Sequence, residues 1–404
     1  MTEWRKARLG DICEISAGGD RPQLVSDKET DICHVPIYSN GVDNDGLYGF
    51  TDKEKIKGDS ITITARGANV GTVFYRKTAY YPIIRLLSLQ PNEELVNSRY
   101  LYYLIKDKTF LSTGSAQPQI TVPNISKYVI EYDPDVVVQH RIAEVLSRYD
   151  ALIENYQRQI KLLEEAAQRL YKEWFVDLRF PGYQSTPIIN NLPQSWQKKK
   201  LAEIIAYEIG GGWGFDDNSN KGTVPAYVIR GTDMEGLQNG SFSGLPFRYH
   251  LESNFKSRKL EPCDIIFEVS GGSKTEGVAK TFLIQDSLLN QFNAPVICAS
   301  FCKLIRLKSP ETANYVYDTL KYWRVSGVTT QYDKRSASSI VNYRWKDFLE
   351  QQEILIPNDN VLSKYLDSSK QIHSRMSNLA IQIRNLSEAR DRLLPKLMSG
   401  EIDV

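Results

Sequence analysis

Two stretches of this chain, separated by about half its length, carry the same pattern. Residues 155–170 read NYQRQIKLLEEAAQRL, and residues 378–393 read NLAIQIRNLSEARDRL. Aligned without gaps, they share an asparagine, a glutamine, an isoleucine, a leucine, a glutamate, an alanine, an arginine and a second leucine. Because coiled-coil segments resemble one another by pattern alone, the flanking sequence has to decide whether a larger unit is duplicated.

The segments before each helix repeat in the same order. The matching pairs are WRKARLGDI (4–12) with WQKKKLAEI (196–204), VPIYSNGVDNDGL (35–47) with VPAYVIRGTDMEGL (224–237), and RYLYYLI (99–105) with NYVYDTL (314–320). The order of parts is therefore globular, helix, globular, helix. A unit of about 200 residues is too long for a solenoid repeat, so the sequence predicts a tandem duplication.

Each globular part is predicted to be a small α+β domain. Runs such as SITIT (60–64) and IIFEV (265–269) are rich in residues that favour strands. One helix is predicted in each copy, over Ser98–Lys106 and Ala313–Trp323. The repeat divides the chain into an N-terminal domain (1–135), a central helix (136–180), a C-terminal domain (181–357) and a C-terminal helix (358–404).

Both long helices carry an apolar seam. In the first, the spacing of the seam residues alternates between four and three, which is the heptad pattern of a coiled coil. These residues are Ile142, Leu146, Tyr149, Ile153, Tyr156, Ile160, Leu163, Ala167, Leu170 and Trp174. The second helix repeats the seam 223 residues later (378 − 155), with interruptions at Ser369 and Arg390. A helix of about 40 residues spans roughly 60 Å and cannot bury such a seam in a small domain.

Each long helix is therefore expected to be the partner of the other. The first leads from domain one to domain two and the second starts at domain two, so short connections favour an antiparallel pair. The predicted fold is two similar α+β domains separated by long antiparallel coiled-coil helices, with pseudo-two-fold symmetry. The helices could serve dimerisation alone, or they could be a ruler that holds two similar domains at a fixed distance. The equal spacing of the domains favours the ruler.

Composition limits the class of protein. The chain has 404 residues, 41% hydrophobic and 25% charged, which is typical of a soluble protein of about two to four domains. No segment approaches the roughly 20 apolar residues of a membrane helix, and the opening MTEWRKARLGD lacks a signal-peptide core. We therefore expect a cytoplasmic protein without membrane contact. The net charge of +1 argues against a protein that binds nucleic acid on its own. Local patches or a partner would therefore supply the phosphate contacts.

The sequence contains no recognisable catalytic or metal-binding motif. The clusters GGGWG (210–214) and GGSKTEG (271–277) lack the spacing of nucleotide-binding loops and are predicted to be turns. Cys298 and Cys302 have no second pair at zinc-ligand spacing, so the five cysteines are expected to be reduced packing residues. The chain is predicted to be a binding protein without catalytic residues, metal or cofactor of its own. The alternatives are a structural coiled-coil protein and a single-chain enzyme with an unrecognised site.

The helical segments resemble the DNA-specificity subunits of type I restriction–modification systems. The resemblance is carried by QHRIAEVLSRYDALIENYQRQIKLLEEAAQRLYKEWFVDLRFPG (139–182) and EARDRLLPKLMSGEIDV (388–404), and by the domain openings WRKARLGDI (4–12) and NLPQSWQKKKLAEI (191–204). It covers essentially the full length. One departure is PNDNVLSKYL (357–366), which lacks the Gln-x-x-Ile-Ala entry of the first helix.

The resemblance implies a division of labour with other subunits. Two target-recognition domains each read one half of a split double-stranded DNA sequence, and the helices set the number of unread base pairs between the halves. The half-sites are then expected about one helical turn apart, near 10 base pairs. Two methyltransferase subunits, which carry S-adenosylmethionine, dock on the helices, and restriction and translocase subunits join them. The chain itself is then a non-catalytic specificity subunit.

Base reading calls for arginine, lysine, asparagine and glutamine on loops, because these side chains make paired contacts to base edges. In the first domain the DNA-binding candidates are Arg21, Gln23, Ser39, Asn40, Arg66, Asn69, Gln117 and Gln119. In the second they are Trp213, Arg230, Asp233, Lys274, Gln331, Lys334 and Arg335. The alternative for each is a solvated loop residue or a turn hydrogen bond. Arg66 and Arg230 rank highest, because each adjoins a glycine in a repeat-matched segment.

Overall fold

The computed structural model describes residues 4–67, 69–110, 119–218, 223–271, 277–335 and 340–404. The chain divides into two compact units: unit 1 contains Met1–Ala151 and Glu388–Val404, and unit 2 contains Leu152–Ser387. Each unit therefore contains one part of each long helix. The four-part domain division drawn from the sequence stays a prediction. Among the described residues, no helix has the length and apolar character needed to cross a membrane.

The described part of unit 1 contains nine strands and parts of the long helices. The strands are β1 (Arg5–Arg8), β2 (Cys13–Ala17), β3 (Val35–Tyr38), β4 (Leu47–Thr51), β5 (Ser60–Ile63), β6 (Val73–Arg76), β7 (Tyr81–Pro82), β8 (Leu87–Pro91) and β9 (Val129–Tyr132). The helices are α1 (Leu9–Ile12), α2 (Ser98–Ile105), α3 (Val122–Ser126) and the first part of α4 (Val136–Tyr171). Helix α2 begins where the side chain of Asn97 accepts a hydrogen bond from the Tyr100 N–H at 3.0 Å.

Unit 2 contains the remaining described strands. They are β10 (Ile188–Ile189), β11 (Leu192–Pro193), β12 (Gln197–Lys200), β13 (Ile205–Gly210), β14 (Val224–Ile229), β15 (Phe247–His250), β16 (Ile265–Glu268), β17 (Ser270–Gly271), β18 (Thr281–Leu283), β19 (Val296–Cys298), β20 (Cys302–Leu307), β21 (Asp333–Arg335), β22 (Val341–Tyr343) and β23 (Glu353–Ile356). Its helices are α5 (Leu201–Ile204), α6 (Met234–Gln238), α7 (Glu252–Arg258), α8 (Asp286–Leu289), α9 (Ala313–Val325), α10 (Trp345–Gln351) and most of α11 (Asp359–Met398).

The two units share one strand order, which confirms the predicted duplication. In unit 1 a four-stranded sheet has the order β2-β8-β5-β6 and a three-stranded sheet the order β4-β3-β7. The corresponding orders in unit 2 are β13-β20-β16-β18 and β15-β14-β19. The central strands β3 and β14 each pair antiparallel with the next strand and parallel with a third. Unit 2 adds the three-stranded ribbon β17-β22-β21.

Each core lies between the four-stranded sheet and one helix. In unit 1 Ile61, Ile63 and Leu89 pack in one cluster with Leu101 and Ile105 of α2. In unit 2 β16, β18 and β20 pack in the same way with α9. Burying each such side chain contributes roughly 1.5–3 kcal/mol. The alternating apolar positions of the predicted strands and of the two predicted helices therefore form the cores.

The segments of the two long helices run antiparallel within each unit, as predicted. In unit 1 the late residue Asp150 of α4 binds Arg390, while the earlier Arg141 donates to the Val404 carbonyl at 3.2 Å. In unit 2 the end of α4 meets the start of α11, where the rings of Tyr171 and Tyr365 are 6.5 Å apart. Within unit 2 the seam also buries a cluster of Ile153, Ile160, Met376, Leu379, Ala380 and Ile383.

The predicted interruptions of the second seam are polar anchors. In unit 1 Arg390 Nη1 lies 2.6 Å from Asp150 Oδ1, and the Tyr103 hydroxyl of α2 donates to the other oxygen of that carboxylate. The carboxylate thus joins α4 to both α2 and α11. An arginine in a coiled-coil seam is costly unless it is paired, so this contact explains why Arg390 is tolerated there.

In unit 2 the corresponding anchor is the Asp318 cluster, formed by Asp318, Tyr365, Ser369 and His373. Asp318 is 0% exposed. Its carboxylate accepts from the Tyr365 hydroxyl at 2.7 Å and from the Ser369 hydroxyl at 2.6 Å, and His373 Nε2 lies 2.7 Å away. Burial, with the carboxylate as a second cause, raises the pKa of Tyr365, so its hydroxyl stays a donor. Three side chains of α11 thus bind one buried group of α9.

The repeat alignment shows that the two anchors occupy equivalent positions in their units, with the donor and the acceptor exchanged between the helices. Tyr103 aligns with Asp318 in the pair RYLYYLI and NYVYDTL, and Asp150 aligns with His373 under the helix shift. Unit 1 has a tyrosine donor on the short helix and a carboxylate on the long one. Unit 2 has the carboxylate on the short helix and the donor on the long one. The duplication conserved the contact while its donor and acceptor changed sides.

Candidate nucleic-acid interface

Most of the described candidates lie on loops that follow strands of the sheets. Residues 18–23 follow β2 and residues 211–214 follow β13; we call each of these segments the glycine loop of its unit. Residues 39–46 follow β3, and residues 64–72 follow β5. Loops at the ends of a rigid sheet can vary without disturbing the core, which is the usual setting for recognition.

Asn40 connects its own loop to the loop that follows β5 and to the segment between β7 and β8. Its Nδ2 donates to the Ile84 carbonyl at 2.5 Å, and its Oδ1 accepts from the Ala65 N–H at 2.7 Å. Both ends of the amide are therefore engaged with backbone. This leaves one N–H for another partner, so Asn40 supports the loops whatever it contributes to base reading.

Arg66 and Gln119 are brought together by the fold. They form an isolated antiparallel bridge, and Arg66 Nη2 donates to Gln119 Oε1 at 3.1 Å. The Arg66 side chain is half-buried, and its Nε is buried without a hydrogen-bond partner among the described residues. A guanidinium held on one side by an amide, with further donors left over, can present a paired contact to a base edge.

Arg230 and Asp233 form an ion pair within unit 2. Arg230 Nε and Nη2 donate to the two carboxylate oxygens at 2.8 and 2.7 Å, and the Arg230 N–H also donates to this carboxylate at 2.8 Å. The hydrogen bond that the Arg230 side chain donates to Asp233 is the first cause that raises the pKa of Arg230. The carboxylate thus occupies the fork of the guanidinium, so only its outer N–H groups point away from the pair.

Arg66 and Arg230 occupy different places in their units. Arg66 follows β5, the strand that corresponds to β16, whereas Arg230 follows β14, the strand that corresponds to β3. The counterpart of Arg230 in unit 1 is therefore the segment around Ser39 and Asn40. The two arginines that rank highest in the sequence are not equivalent in the fold.

The remaining candidates are mostly exposed. Arg21, Gln23, Asn69, Trp213, Gln331, Lys334 and Arg335 are exposed, and Ser39 is half-buried. Lys334 and Arg335 lie on β21, which pairs with β22 at the edge of the small ribbon. Gln117 and Lys274 lie outside the described residues. No observation tests which of these residues contacts DNA, so the set stays a prediction.

The cysteines are packing residues in the described structure. All five are free, and all but Cys263 are buried. Burial raises the pKa of the Cys13 and Cys298 thiols to about 12, so these thiols are neutral and poor metal ligands. Within the described ranges, no group of three or more His, Cys, Asp or Glu side chains could hold a metal ion.

Comparison with known proteins gives one consistent result. Residues 1–165 match the family described as type I restriction modification DNA specificity domain. The chain is 27% identical over 374 residues to the type I restriction enzyme MjaIX specificity subunit of Methanocaldococcus jannaschii, covering 85% of this chain and 78% of that protein. It is 32% identical over 140 residues to the putative type I specificity subunit S.MpnORF89P of Mycoplasma pneumoniae, covering 34% of this chain and 41% of that one.

A crystal structure of a type I restriction–modification S subunit from M. genitalium has the same fold, with a TM-score of 0.59. It is 16% identical and covers 98% of this chain and 96% of that one. The matching family model and the curated relatives are thus those of type I specificity subunits, which confirms the resemblance seen in the sequence.

Two further residues of this chain lie beside predicted ones and were missed in the sequence. Arg21 Nη1 donates to the Tyr48 hydroxyl at 3.2 Å, and the Arg248 guanidinium lies over the ring of Trp213. Tyr48 is on β4 and Arg248 on β15, so both stand on strands rather than on glycine-rich loops. Only the pairing of these strands with their neighbours places them near the glycine loops. Composition of the local sequence carries no signal for that.

Proposed function

We propose that this specificity subunit reads a DNA site made of two separated halves, one with each unit. The observation that supports the proposal is the shared strand order, which gives each unit its own set of strand-end loops with candidate base-reading residues. Two similar but not identical readers would recognise two different short sequences. The paired helices would then set the length of the unread gap.

The chemistry would belong to other subunits. Two methyltransferase subunits carrying S-adenosylmethionine would dock on the long helices, and restriction and translocase subunits would join them. The net charge of +1 is consistent with this division, because partner subunits would share the phosphate contacts. Since the substrate would be host and incoming DNA, the complex would act in the cytoplasm. The alternative of a structural coiled-coil protein without a DNA role has no support among the relatives.

The test is methylation mapping by sequencing in a cell that expresses the partner methyltransferase subunits, with and without this chain. We expect methylated sites of two short defined sequences with a constant gap, present only when the chain is expressed. Methylation of one undivided sequence, or a pattern that does not depend on the chain, would contradict the proposal.

Replacing Arg66 with alanine is expected to relax one half of the methylated sequence and to leave the other half unchanged. A paired contact to a base discriminates by about 1–3 kcal/mol, which corresponds to roughly 5- to 150-fold at one position. Arg66→Lys keeps the charge but loses the planar fork, so it should relax the same position. Methylation mapping with each variant measures the effect.

The control for Arg66 is Arg5→Ala, which removes an exposed arginine on β1 and should leave the mapped sequence unchanged. Uniform weakening on every DNA sequence by Arg66→Ala would instead mark a phosphate contact.

A further inference from the structure

An aromatic ring and an arginine lie together between the glycine loop and the neighbouring hairpin strand in each unit. In unit 2 the Trp213 ring is on the loop, and the guanidinium carbon of Arg248 on β15 is 4.9 Å from its centroid. In unit 1 the arginine, Arg21, is on the loop and the ring, Tyr48, is on β4. Strand β4 corresponds to β15, so the two pairs occupy one place with their members exchanged.

Both rings are exposed in the described structure. Trp213 is 41% exposed and Tyr48 is 43% exposed. Burying an aromatic ring is strongly favourable, so the exposed area of each ring is available to a partner that covers it. The recurrence at the same place in two diverged units argues against an incidental exposed side chain.

The Trp213 loop is held rigidly on both sides. A Cβ at Gly211 would lie 2.2 Å from the Ala299 carbonyl oxygen, so only glycine allows the loop to run against β19. The Gly212 N–H donates to the Cys298 carbonyl at 2.9 Å, and Phe215 exchanges two backbone hydrogen bonds with Tyr249 at 2.8 and 3.0 Å. Trp213 therefore projects from a short segment whose two ends are bound to neighbouring strands.

The arginine of this pair is also fixed. Arg248 forms an ion pair with Asp216, its Nε donates to the Trp213 carbonyl at 3.3 Å, and its side chain is 14% exposed. The guanidinium therefore contacts both the indole ring and the carboxylate, and these contacts fix its position before any ligand binds. One face of the ring is in contact with a cation, and the exposed area is left for a second flat group.

We propose that Trp213 is a base-stacking residue of the specificity subunit and that Arg248 is its positioning residue. The indole would stack on a nucleobase at a base step that opens in the half-site read by unit 2, and Tyr48 with Arg21 would do the same in the other half-site. The proposal rests on the proposed two-part reading of DNA. Stacking accepts any base because every base has a flat π face, and aromatic side chains that enter a base step widen it.

The exchange of ring and arginine between the units gives the two half-sites stacking rings of different size. A large indole on a rigid loop can fill a base step, whereas the tyrosine of unit 1 presents a smaller ring with its hydroxyl bonded to Arg21. Each pair would then favour base steps that open easily, such as pyrimidine–purine steps. The effect of each pair would be confined to one half of the site.

The experiment uses the full chain in complex with its methyltransferase subunits and duplexes that carry the methylation-mapped site. The fluorescent base 2-aminopurine replaces each adenine in turn, and its emission rises when its neighbours unstack. We expect an increase in the unit 2 half-site that Trp213→Ala abolishes, together with about tenfold weaker binding to the mapped duplex. Trp213→Phe should retain most of the affinity, and Trp213→Leu should lose it, because leucine keeps bulk without a π face.

The control is Tyr183→Ala, which removes another 41% exposed aromatic ring of the same unit outside the glycine loop. It should change neither affinity nor emission. Equal affinity of Trp213→Ala and the unchanged chain, equal weakening on scrambled DNA, or an emission signal that survives Trp213→Ala at every position would overturn the stacking role. If the unchanged complex itself did not prefer the mapped duplex over scrambled DNA, the proposed function would fail instead. Should Trp213→Ala not fold, the comparison of the phenylalanine and leucine variants still decides.

Discussion

Asp318→Ala is expected to destabilise unit 2 by about 3–5 kcal/mol, because it removes the buried carboxylate that accepts from three side chains of α11. The alanine would leave the hydroxyls of Tyr365 and Ser369 and the ring of His373 buried without their common acceptor. Each buried polar group without a partner costs about 1–3 kcal/mol. The measurement is chemical unfolding followed by circular dichroism, with hydrogen exchange of the α11 amides to locate the loss.

Two further variants distinguish the effect of donors left without an acceptor from a general loss of packing. Asp367→Ala removes an exposed carboxylate on α11, the helix that the cluster binds, and should change the stability by no more than about 0.5 kcal/mol. Replacing Asp318, Ser369 and His373 together with apolar residues should recover much of the loss, because a buried polar cluster can often be exchanged for apolar packing. If Asp318→Ala were as stable as Asp367→Ala, the cluster would not anchor α11.

Inserting seven residues into both long helices is expected to abolish methylation of the original site and to create methylation at a site with a longer gap. The insertions would follow Ala151 in α4 and Ser387 in α11, where the two units divide in sequence, and would continue the apolar seam. Seven helical residues add about 10 Å. That length corresponds to no more than about three base pairs at 3.4 Å each. Methylation mapping measures the gap, and both half sequences should remain the same.

The matched control is the same insertion in only one of the helices. It would shift one seam against the other and leave apolar residues opposite polar ones, so we expect loss of methylation without a new site. An unchanged gap after insertion in both helices would rule out the helices as the spacer. A lengthened gap with an altered half sequence would show that the insertion had disturbed a reading unit as well.

Much of the architecture could be predicted because it depends on patterns among residues that are close together in the sequence. The heptad seam is visible in the spacing of its apolar residues. The duplication is visible in matched pairs such as WRKARLGDI and WQKKKLAEI, and neither needs knowledge of which residues meet in space. The predicted helix Ser98–Lys106 is observed as Ser98–Ile105, and Ala313–Trp323 as Ala313–Val325. Even Ser369 and Arg390 were visible as interruptions, because a polar residue in an apolar stripe stands out.

The partners of those residues could not be predicted, because they depend on which elements meet in space. Ser369 binds Asp318, which lies 51 positions earlier, and Arg390 binds Asp150, which lies 240 positions earlier. The candidate interface has the same limit. Arg66 meets Gln119, and the Trp213 segment meets β15 and its Arg248, through isolated bridges between segments that are separated in sequence.

The sequence by itself determined that this protein is two copies of one α+β unit with long paired helices, since period and repetition are properties of neighbouring residues. Only the tertiary structure decided which polar atoms stand within hydrogen-bond distance, and therefore which side chains are anchors and which stay exposed. Hydrogen bonds and ring contacts act over a few ångströms and require defined angles. Their partners are therefore set by the order of strands and the register of helices rather than by position along the chain.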